Sequence, residues 1–401
     1  MALDKNIPAI EGGMPVRDNK VYYSHQDIND DDINAVVGVL KSNFLTTGPK
    51  ITEMEQKICE ITGAKYAVAC SNGTAALHIA CMAAGIKEGD EIITTPITFA
   101  ASANCGLYCG ATPVFADINP ETYQIDPADV ERKITDKTKA VIPVDFTGAT
   151  VQLDEIREIC DRHGLILIED AAHSFGSKYK NKMVGSIADM TEFSFHAIKT
   201  VTGGEGGAVA TNSKELYDKL MLYRTHGITR NPEFMGNESD GPWYYDMVDL
   251  APNYRITDIQ AALICSQMDR LDKFAERRHE IKKRYDAAFS KLPQLQIQKE
   301  IPEIDAVRHL YIIRVKADKL KIDRKKFFEA LAAENVMCNV NYIPVYYFSY
   351  YQKLGYKKGL CPNAESYYDE AISIPFYSAL KDEDVEDVIA AVTKICEYYA
   401  L

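Results

Sequence analysis

The chain has no basic segment and is acidic overall. Its 401 residues include 45 Lys and Arg against 58 Asp and Glu, which gives a formal net charge of −13 at pH 7. Affinity for nucleic acid comes mainly from basic side chains that neutralise phosphates, so we predict no nucleic-acid partner. The acidity does not exclude a phosphorylated small molecule, because a few local hydrogen-bond donors are enough to bind one.

Paired cysteine motifs are also missing. The ten cysteines are scattered along the chain, and no C-x-x-C occurs. Cys105 and Cys109 have the spacing of one helical face, but no nearby histidine or carboxylates complete a metal site, so we predict no metal. We expect free thiols in a reducing compartment.

Long apolar runs are absent as well. No uninterrupted stretch is long enough to span a bilayer, so we predict no membrane partner. Residues 1–6 lack the apolar core of a signal peptide. Together these features predict a soluble, cytoplasmic protein.

Short apolar runs do occur, and they alternate with helical patterns. They lie at 66–69, 91–95, 113–116, 140–144 and 165–168. Strands that are apolar throughout and alternate with helices predict a mostly parallel sheet covered on both faces. Ligands of such α/β sheets bind at the carboxyl ends of the strands, so the loops that follow the runs are where we expect the chemistry.

The pattern changes in the last third of the chain. Residues 257–285 predict one long helix or two abutting helices, and mixed elements follow, with strands at 309–315 and 337–342 and helices at 323–334 and 382–398. We therefore predict three regions. They are an N-terminal arm and helix over 1–45, a large domain over 46–270 and a small C-terminal α/β domain over 271–401.

Gly73 and Thr74 follow the first apolar run and open a helix. Free N–H groups at a helix N-terminus, the helix dipole and the Thr74 hydroxyl suit a phosphate, and Gly73 allows close approach of the backbone. An ordinary helix cap explains the same residues equally well.

Asp170 ends the run at 165–168. An acid at the end of a buried strand is costly unless it is paired. A protonated pyridine nitrogen is a natural partner, because the carboxylate keeps the ring charged and the charged ring is a better electron sink. The competing interpretation is an aspartate that caps the next helix.

Lys199 follows a short apolar run and precedes a glycine-rich turn. A lysine near a pyridinium and a phosphate can have a lowered pKa, and its neutral amine can form a Schiff base with an aldehyde. Ser194 can add a hydroxyl to the phosphate site. Surface exposure is the usual fate of lysine, but no simple alternative explains Gly73, Thr74, Asp170 and the Ser194–Lys199 pair in this order.

Three further side chains remain ambiguous at this level. Phe99 can stack on a pyridine face or serve as a core aromatic. His173 can touch the cofactor ring or be a structural histidine. His196 is better interpreted as structural.

These motifs resemble the DegT/DnrJ/EryC1/StrS family of sugar aminotransferases over nearly the whole chain. The resemblance is carried by residues 71–77, 95–99, 169–173, 194–199, 204–208 and 253–263. It implies an aspartate-aminotransferase-like α/β fold (fold type I), with a seven-stranded, mostly parallel sheet in a large domain that binds pyridoxal 5'-phosphate, plus a small C-terminal α/β domain.

The resemblance also implies roles for single residues. Lys199 is then the catalytic Schiff-base lysine and Asp170 the partner of the pyridine nitrogen. The phosphate contacts are Gly73, Thr74 and Ser194, and the ring contacts are Phe99 and His173. Asn253 reaches the phosphate from a neighbouring subunit, which implies a homodimer with shared active sites, and the loop 231–249 extends towards the partner.

Within the family, His173 and the segment 194–199 look most like the branch that acts in pseudaminic acid biosynthesis. Its sugar-nucleotide contacts map to Tyr23, Asn43, Phe44, Leu45, Thr46, Asn341, Tyr342, Ile343 and Pro344. Relatives often have histidine where this chain has Asn341, which puts that contact in doubt. His309 resembles a family position near the active site.

The activity implied is transfer of an amino group from glutamate to the 4-keto carbon of a UDP-linked 2-acetamido-2,6-dideoxyhexos-4-ulose. A dTDP-linked or 3-keto deoxysugar is the alternative substrate. Family dehydratases bind pyridoxamine phosphate without such a lysine, so Lys199 argues against that class. A regulatory protein that binds the cofactor without catalysis is the remaining alternative, although no added DNA-binding segment is evident.

Overall fold

The computed structural model describes residues 4–401, so the first three residues of the predicted arm lie outside it. Thirteen α-helices occur in this part of the chain. They are α1 (Asp30–Leu40), α2 (Pro49–Thr62), α3 (Gly73–Ala83), α4 (Ala101–Tyr108), α5 (Pro127–Lys133), α6 (Leu153–His163), α7 (Lys214–Arg224), α8 (Asp258–Met268), α9 (Leu271–Phe289), α10 (Arg324–Ala333), α11 (Ser349–Lys353), α12 (Pro362–Glu370) and α13 (Asp382–Tyr398).

Fifteen strands complete the described chain. They are β1 (Tyr66–Cys70), β2 (Glu91–Thr94), β3 (Thr112–Phe115), β4 (Thr138–Ile142), β5 (Ile166–Asp170), β6 (Lys178–Tyr179), β7 (Lys182–Met183), β8 (Met190–Ser194), β9 (Gly207–Thr211), β10 (Ile228–Thr229), β11 (Asp246–Met247), β12 (Leu295–Ile297), β13 (Ile304–Asp305), β14 (Tyr311–Val315) and β15 (Ala371–Ile374).

Local sequence explains several helix boundaries. Pro49 occupies the first turn of α2, where its missing N–H is not needed, and Gly63 ends the helix in the left-handed conformation at φ 75°. Thr257 and Gln260 form a reciprocal capping box that starts α8. The predicted helical region at 257–285 is therefore two helices, because the chain breaks after Met268.

The large sheet has seven strands in the order β1-β9-β8-β5-β4-β2-β3. The pairs β5/β8, β4/β5, β2/β4 and β2/β3 are parallel, and only β9 runs against its neighbours β1 and β8. The mostly parallel seven-stranded sheet is confirmed. Since six strands share one direction, their carboxyl ends meet at one edge, where β9 begins at Gly207.

A second core lies in the C-terminal part of the chain. The three-stranded sheet β12-β14-β15 packs with α9, α10 and α13, and Val21 from the N-terminal segment joins the same core. The boundary that we predicted at 270/271 coincides with the gap between α8 and α9, and the division into domains stays a prediction.

One of the predicted strands is wrong. The predicted strand at 337–342 is irregular, and only Asn339 pairs with a strand, through its backbone N–H and C=O to Ser373 at 3.0 and 2.8 Å. The segment leaves the sheet because Asn341 and Tyr342 turn into a cavity at the edge of the large sheet.

Two observations on the described residues bear on the class of protein. No helix within 4–401 is both long and apolar enough to cross a membrane. All ten cysteines, which lie in this range, are free thiols.

Asp32 joins α1 to the start of the C-terminal part. The side chain is fully buried; its Oδ1 accepts a hydrogen bond from Ser266 at 2.6 Å and its Oδ2 one from Gln267 at 2.7 Å. Arg270, in the gap between α8 and α9, forms an ion pair with the same carboxylate.

Replacing Asp32 with alanine should lower the free energy of unfolding by about 2–4 kcal/mol, because Arg270, Ser266 and Gln267 each lose a buried hydrogen-bond acceptor. Arg270 keeps its second ion pair, with Asp27 at 3.1 Å, which limits the loss. Replacing Asp30, exposed in the same helical turn, should cost at most about 1 kcal/mol through the helix dipole. Urea unfolding followed by circular dichroism measures both. Equal losses in the two variants would contradict the role of Asp32.

Candidate active site

A cavity of about 710 Å³ lies at the carboxyl edge of the large sheet. Its wall comes from the loops after β1, β2, β5 and β8 and from the irregular segment around Asn341. The structure brings ten of the predicted site residues to this wall: Tyr23, Gly73, Thr74, Phe99, Asp170, His173, Ser194, Lys199, Asn341 and Tyr342.

One end of the cavity is formed by the N-terminus of α3. Asn72 caps the helix, since its side-chain oxygen accepts a hydrogen bond from the Ala75 N–H at 2.9 Å. A Cβ at Gly73 would lie 2.5 Å from Glu192 Oε1 and 3.0 Å from Ser194 Cβ, so a larger residue would have to displace the Glu192 side chain. The first N–H groups of the helix and the Ser194 hydroxyl therefore share a small polar space suited to an anion.

Asp170 lies at the centre of the cavity wall. It ends β5 and is only 3% exposed. Its Oδ2 accepts a hydrogen bond from Ser102 Oγ at 2.6 Å, and its Oδ1 accepts one from the Ala172 N–H at 3.2 Å. Ser102 was not predicted from the sequence, because a serine within a helix gives no signal of a partner on a distant strand.

Lys199 follows β8 on a turn in which its own N–H donates to the His196 carbonyl. Burial of the amine lowers the pKa of Lys199 to about 8, although the negative charges of Asp170 and Glu192 act in the opposite direction. The neutral, nucleophilic amine is therefore far more populated near neutral pH than in an ordinary lysine, and it reaches about half near pH 8.

Glu192 is a second acid in the cavity that we did not predict. It lies in β8, is fully buried and faces the same side of the sheet as Ser194, two residues later. Burial, together with the charge of Asp170, raises the pKa of Glu192 well above its usual range. The available signal in the sequence was the spacing of two residues between Glu192 and Ser194, which puts both side chains on one face of a strand.

A cluster of aromatic and histidine side chains closes another part of the wall. Tyr342 Oη lies 3.3 Å from His173 Nε2, and the rings of His173 and His309 are 4.5 Å apart. Tyr23 Oη donates to Asn341 Oδ1 at 3.0 Å. Burial lowers the pKa of both histidines well below the usual value, so both rings are neutral.

Phe99, predicted as a ring contact, and His309, predicted near the active site, differ in their surroundings. Phe99 is 64% exposed at the cavity mouth, with its ring 6.4 Å from that of Tyr342, so it is not a core aromatic. His309 is buried behind His173 rather than at the cavity wall.

Other predicted residues lie away from this cavity within one chain. Phe44 and Leu45 are about half exposed, at 51% and 49%, and Asn253 is also exposed. The remaining members of this group are Asn43, Thr46, Ile343 and Pro344, of which only Pro344 is buried.

The fold and the cavity define a class of protein. A large, mostly parallel sheet with a lysine, an aspartate, a serine and a helix N-terminus at its carboxyl edge is the aspartate-aminotransferase-like arrangement of fold type I. The DegT/DnrJ/EryC1/StrS aminotransferase family matches residues 26–393, and the chain belongs to that family. It is an aminotransferase.

Named relatives cover most of the chain. The spore coat polysaccharide biosynthesis protein SpsC of Bacillus subtilis is 41% identical over 94% of this chain and 98% of its own length. The UDP-4-amino-4,6-dideoxy-N-acetyl-beta-L-altrosamine transaminase of Campylobacter jejuni is 38% identical over 94% of this chain and 98% of its own.

Solved structures give the same fold. Helicobacter pylori PseC, an aminotransferase involved in the biosynthesis of pseudoaminic acid, superposes with a TM-score of 0.88 at 32% identity, covering 95% of this chain and 100% of that one. Spr1654 from Streptococcus pneumoniae, in its PLP-form, gives a TM-score of 0.88 at 31% identity, covering 94% of this chain and 99% of that one.

The lowered pKa of Lys199 predicts that its amine reacts half-maximally near pH 8. Reductive methylation of the chain without added cofactor, followed by peptide mass spectrometry over a pH series, measures this midpoint. In an Asp170→Asn variant the midpoint should move to lower pH, since a negative charge that favours the ammonium form is lost. A midpoint equal to that of exposed lysines in the same digest would contradict the prediction.

Proposed function

We propose that this aminotransferase moves an amino group from glutamate to the 4-keto carbon of a UDP-linked 2-acetamido-2,6-dideoxyhexos-4-ulose, with pyridoxal phosphate as its cofactor. The observation that carries the proposal is that Lys199, whose amine has a lowered pKa, shares one cavity with Asp170 and Ser194. The choice of sugar is supported by the Campylobacter jejuni relative, which is named as a transaminase of a UDP-linked amino sugar.

The residues of the cavity fit pyridoxal phosphate. The helix N-terminus at Gly73 and Thr74, with the Ser194 hydroxyl, suits the phosphate, and the space next to Gly73 would be lost to any larger side chain. Asp170 is a buried acid suited to a protonated ring nitrogen. When bound, the cofactor supplies an aldehyde and an electron-withdrawing ring that stabilises a carbanion.

Lys199 is the group that moves protons. Its amine, mostly free of charge above pH 8, takes a proton from the carbon that carries the amino group of glutamate. Before that half of the reaction ends, the ammonium would give its proton up again, and glutamate would leave as 2-oxoglutarate. In the second half the neutral amine would accept a proton once more and, as the ammonium, deliver it to C4 of the sugar, which receives the nitrogen of glutamate. Asp170 is held in place by the hydrogen bonds that it accepts from Ser102 and the Ala172 N–H.

The sugar would enter from the side of Tyr342. Tyr23 and Asn341 are joined by a hydrogen bond at this wall, and His173 is held by Tyr342. Because His173 is neutral, it can hydrogen bond with a sugar hydroxyl without adding a positive charge next to Lys199. Phe99 covers the mouth.

A homodimer would complete the site. Asn43, Phe44, Leu45, Thr46 and Asn253 do not reach the cavity of their own chain, so their predicted roles need a second copy. Large apolar side chains are exposed in the loop 231–249 and next to it, including Trp243 at 69% and Leu250 at 78%. Apolar surface of this kind is expected where a partner subunit covers it. The free cysteines fit a cytoplasmic location.

Replacing Lys199 with alanine should abolish turnover, because no other group at this position can move the proton. A Lys182→Ala variant, which alters an exposed lysine, serves as the matched control and should keep wild-type turnover. Formation of 2-oxoglutarate from glutamate measures both. Many turnovers by the Lys199→Ala variant would refute the assignment.

The substrate is tested with a panel of UDP- and dTDP-linked 4-keto and 3-keto deoxysugars, each incubated with glutamate and analysed by product mass. We expect amination of the UDP-linked 4-keto sugar. Amination of only a dTDP-linked or only a 3-keto sugar would make the choice of substrate wrong. A protein that binds pyridoxal phosphate but forms no 2-oxoglutarate from glutamate and aminates none of these sugars would instead favour the regulatory alternative.

A further inference from the structure

Glu192 and Asp170 lie side by side at the carboxyl edge of the sheet. The parallel strands β5 and β8 pair them directly in register, so both side chains face the cavity. Glu192 is 0% exposed and Asp170 is 3% exposed. Two neighbouring carboxyl groups are thus enclosed with little access to water.

The two acids differ in their donors. Asp170 accepts hydrogen bonds from Ser102 Oγ at 2.6 Å and from the Ala172 N–H at 3.2 Å. Neither oxygen of Glu192 has a hydrogen-bond donor among residues 4–401. An ionised carboxylate that is buried without donors is very unfavourable, whereas a proton between two carboxyl groups turns their repulsion into a hydrogen bond.

The other groups near Glu192 do not stabilise its ionised form enough to remove the proton. Lys199, from the loop after β8, favours the charged form of Glu192, but burial and the charge of Asp170 rank above it and raise the pKa of Glu192. The remaining titratable neighbours are the thiols of Cys105 and Cys70, and burial raises the pKa of Cys70, so it stays neutral. From α3 the nearest contact is Gly73, which carries no side chain.

We propose that Glu192 is a positioning residue that stays a neutral acid and donates a hydrogen bond to Asp170, which holds Asp170 as the ionised partner of the cofactor's ring nitrogen. The proton sits on Glu192 because Asp170 already receives two hydrogen bonds as an acceptor. Only the last part, the link to the ring nitrogen, rests on the proposed function. The hydrogen bond between the acids belongs to the protein alone.

A pair of variants tests the donor role. In Glu192→Gln the side-chain amide is neutral and still donates, whereas in Glu192→Leu the shape is similar and the donor is lost. The leucine variant should bind pyridoxal phosphate about tenfold to hundredfold more weakly than the glutamine variant, the usual effect of losing a hydrogen bond to a charged group. Equal affinities of the two variants would overturn the proposal, and so would a glutamine variant that binds far more weakly than the wild-type chain, since Glu192 would then act as an anion.

The proton itself is tested without cofactor, by comparing the melting temperatures of wild-type and Glu192→Gln chains over a pH series. A raised pKa in the folded state means that stability is complete below the unfolded value and is lost as pH rises. The Glu192→Gln chain lacks this loss, so its melting temperature should rise relative to wild type as the pH increases above about 5. Groups remote from Glu192 titrate alike in both chains and cancel in the difference. Lys199 does not, because the charge of Glu192 acts on it, so the comparison is repeated in a Lys199→Met background.

A difference that does not change with pH would overturn the proposal. Failure of the wild-type chain to bind pyridoxal phosphate would instead refute the proposed function, while the melting experiment would still decide whether Glu192 carries the proton.

Discussion

The enclosure of Lys199, Asp170 and Glu192 in one cavity is the constraint on which the rest of the site depends. Ionised groups are expensive to remove from water, so each must be neutralised, paired or hydrogen bonded. Burial lowers the pKa of the Lys199 amine to about 8. Asp170 accepts hydrogen bonds from Ser102 and from a backbone N–H. The reactivity of Lys199 therefore follows from its burial.

The sheet makes this enclosure possible. Six strands point one way, and the reversed strand β9 brings Gly207 next to Asn72, where an added Cβ would lie 2.3 Å from the Asn72 carbonyl oxygen. The start of α3, the end of β8 and the start of β9 therefore pack without intervening side chains. The chain from the C-terminal part closes the opposite wall, where Tyr342 meets His173.

Much of the site was predictable because its signals are local. Gly73 and Thr74 open a helix after a strand, Asp170 ends a strand, and Ser194 and Lys199 flank a turn, all within a few residues of a recognisable pattern. Other features had no local signal. Ser102 and Asp170 are 68 residues apart in sequence. The segment around Asn341 was predicted as a strand from its local pattern, and that pattern does not show that the chain turns into the cavity.

The sequence by itself determined the alternation of buried strands and helices, the family and the order of the residues that carry the chemistry. Apolar periodicity and turn residues act over a few positions, so they can be read without coordinates. Only the tertiary structure decided that Glu192 faces Asp170, that His309 lies behind His173 and that Asn253 stays outside the cavity of its own chain. The physical reason is that strand register and packing join residues far apart in sequence, and burial then sets their charge.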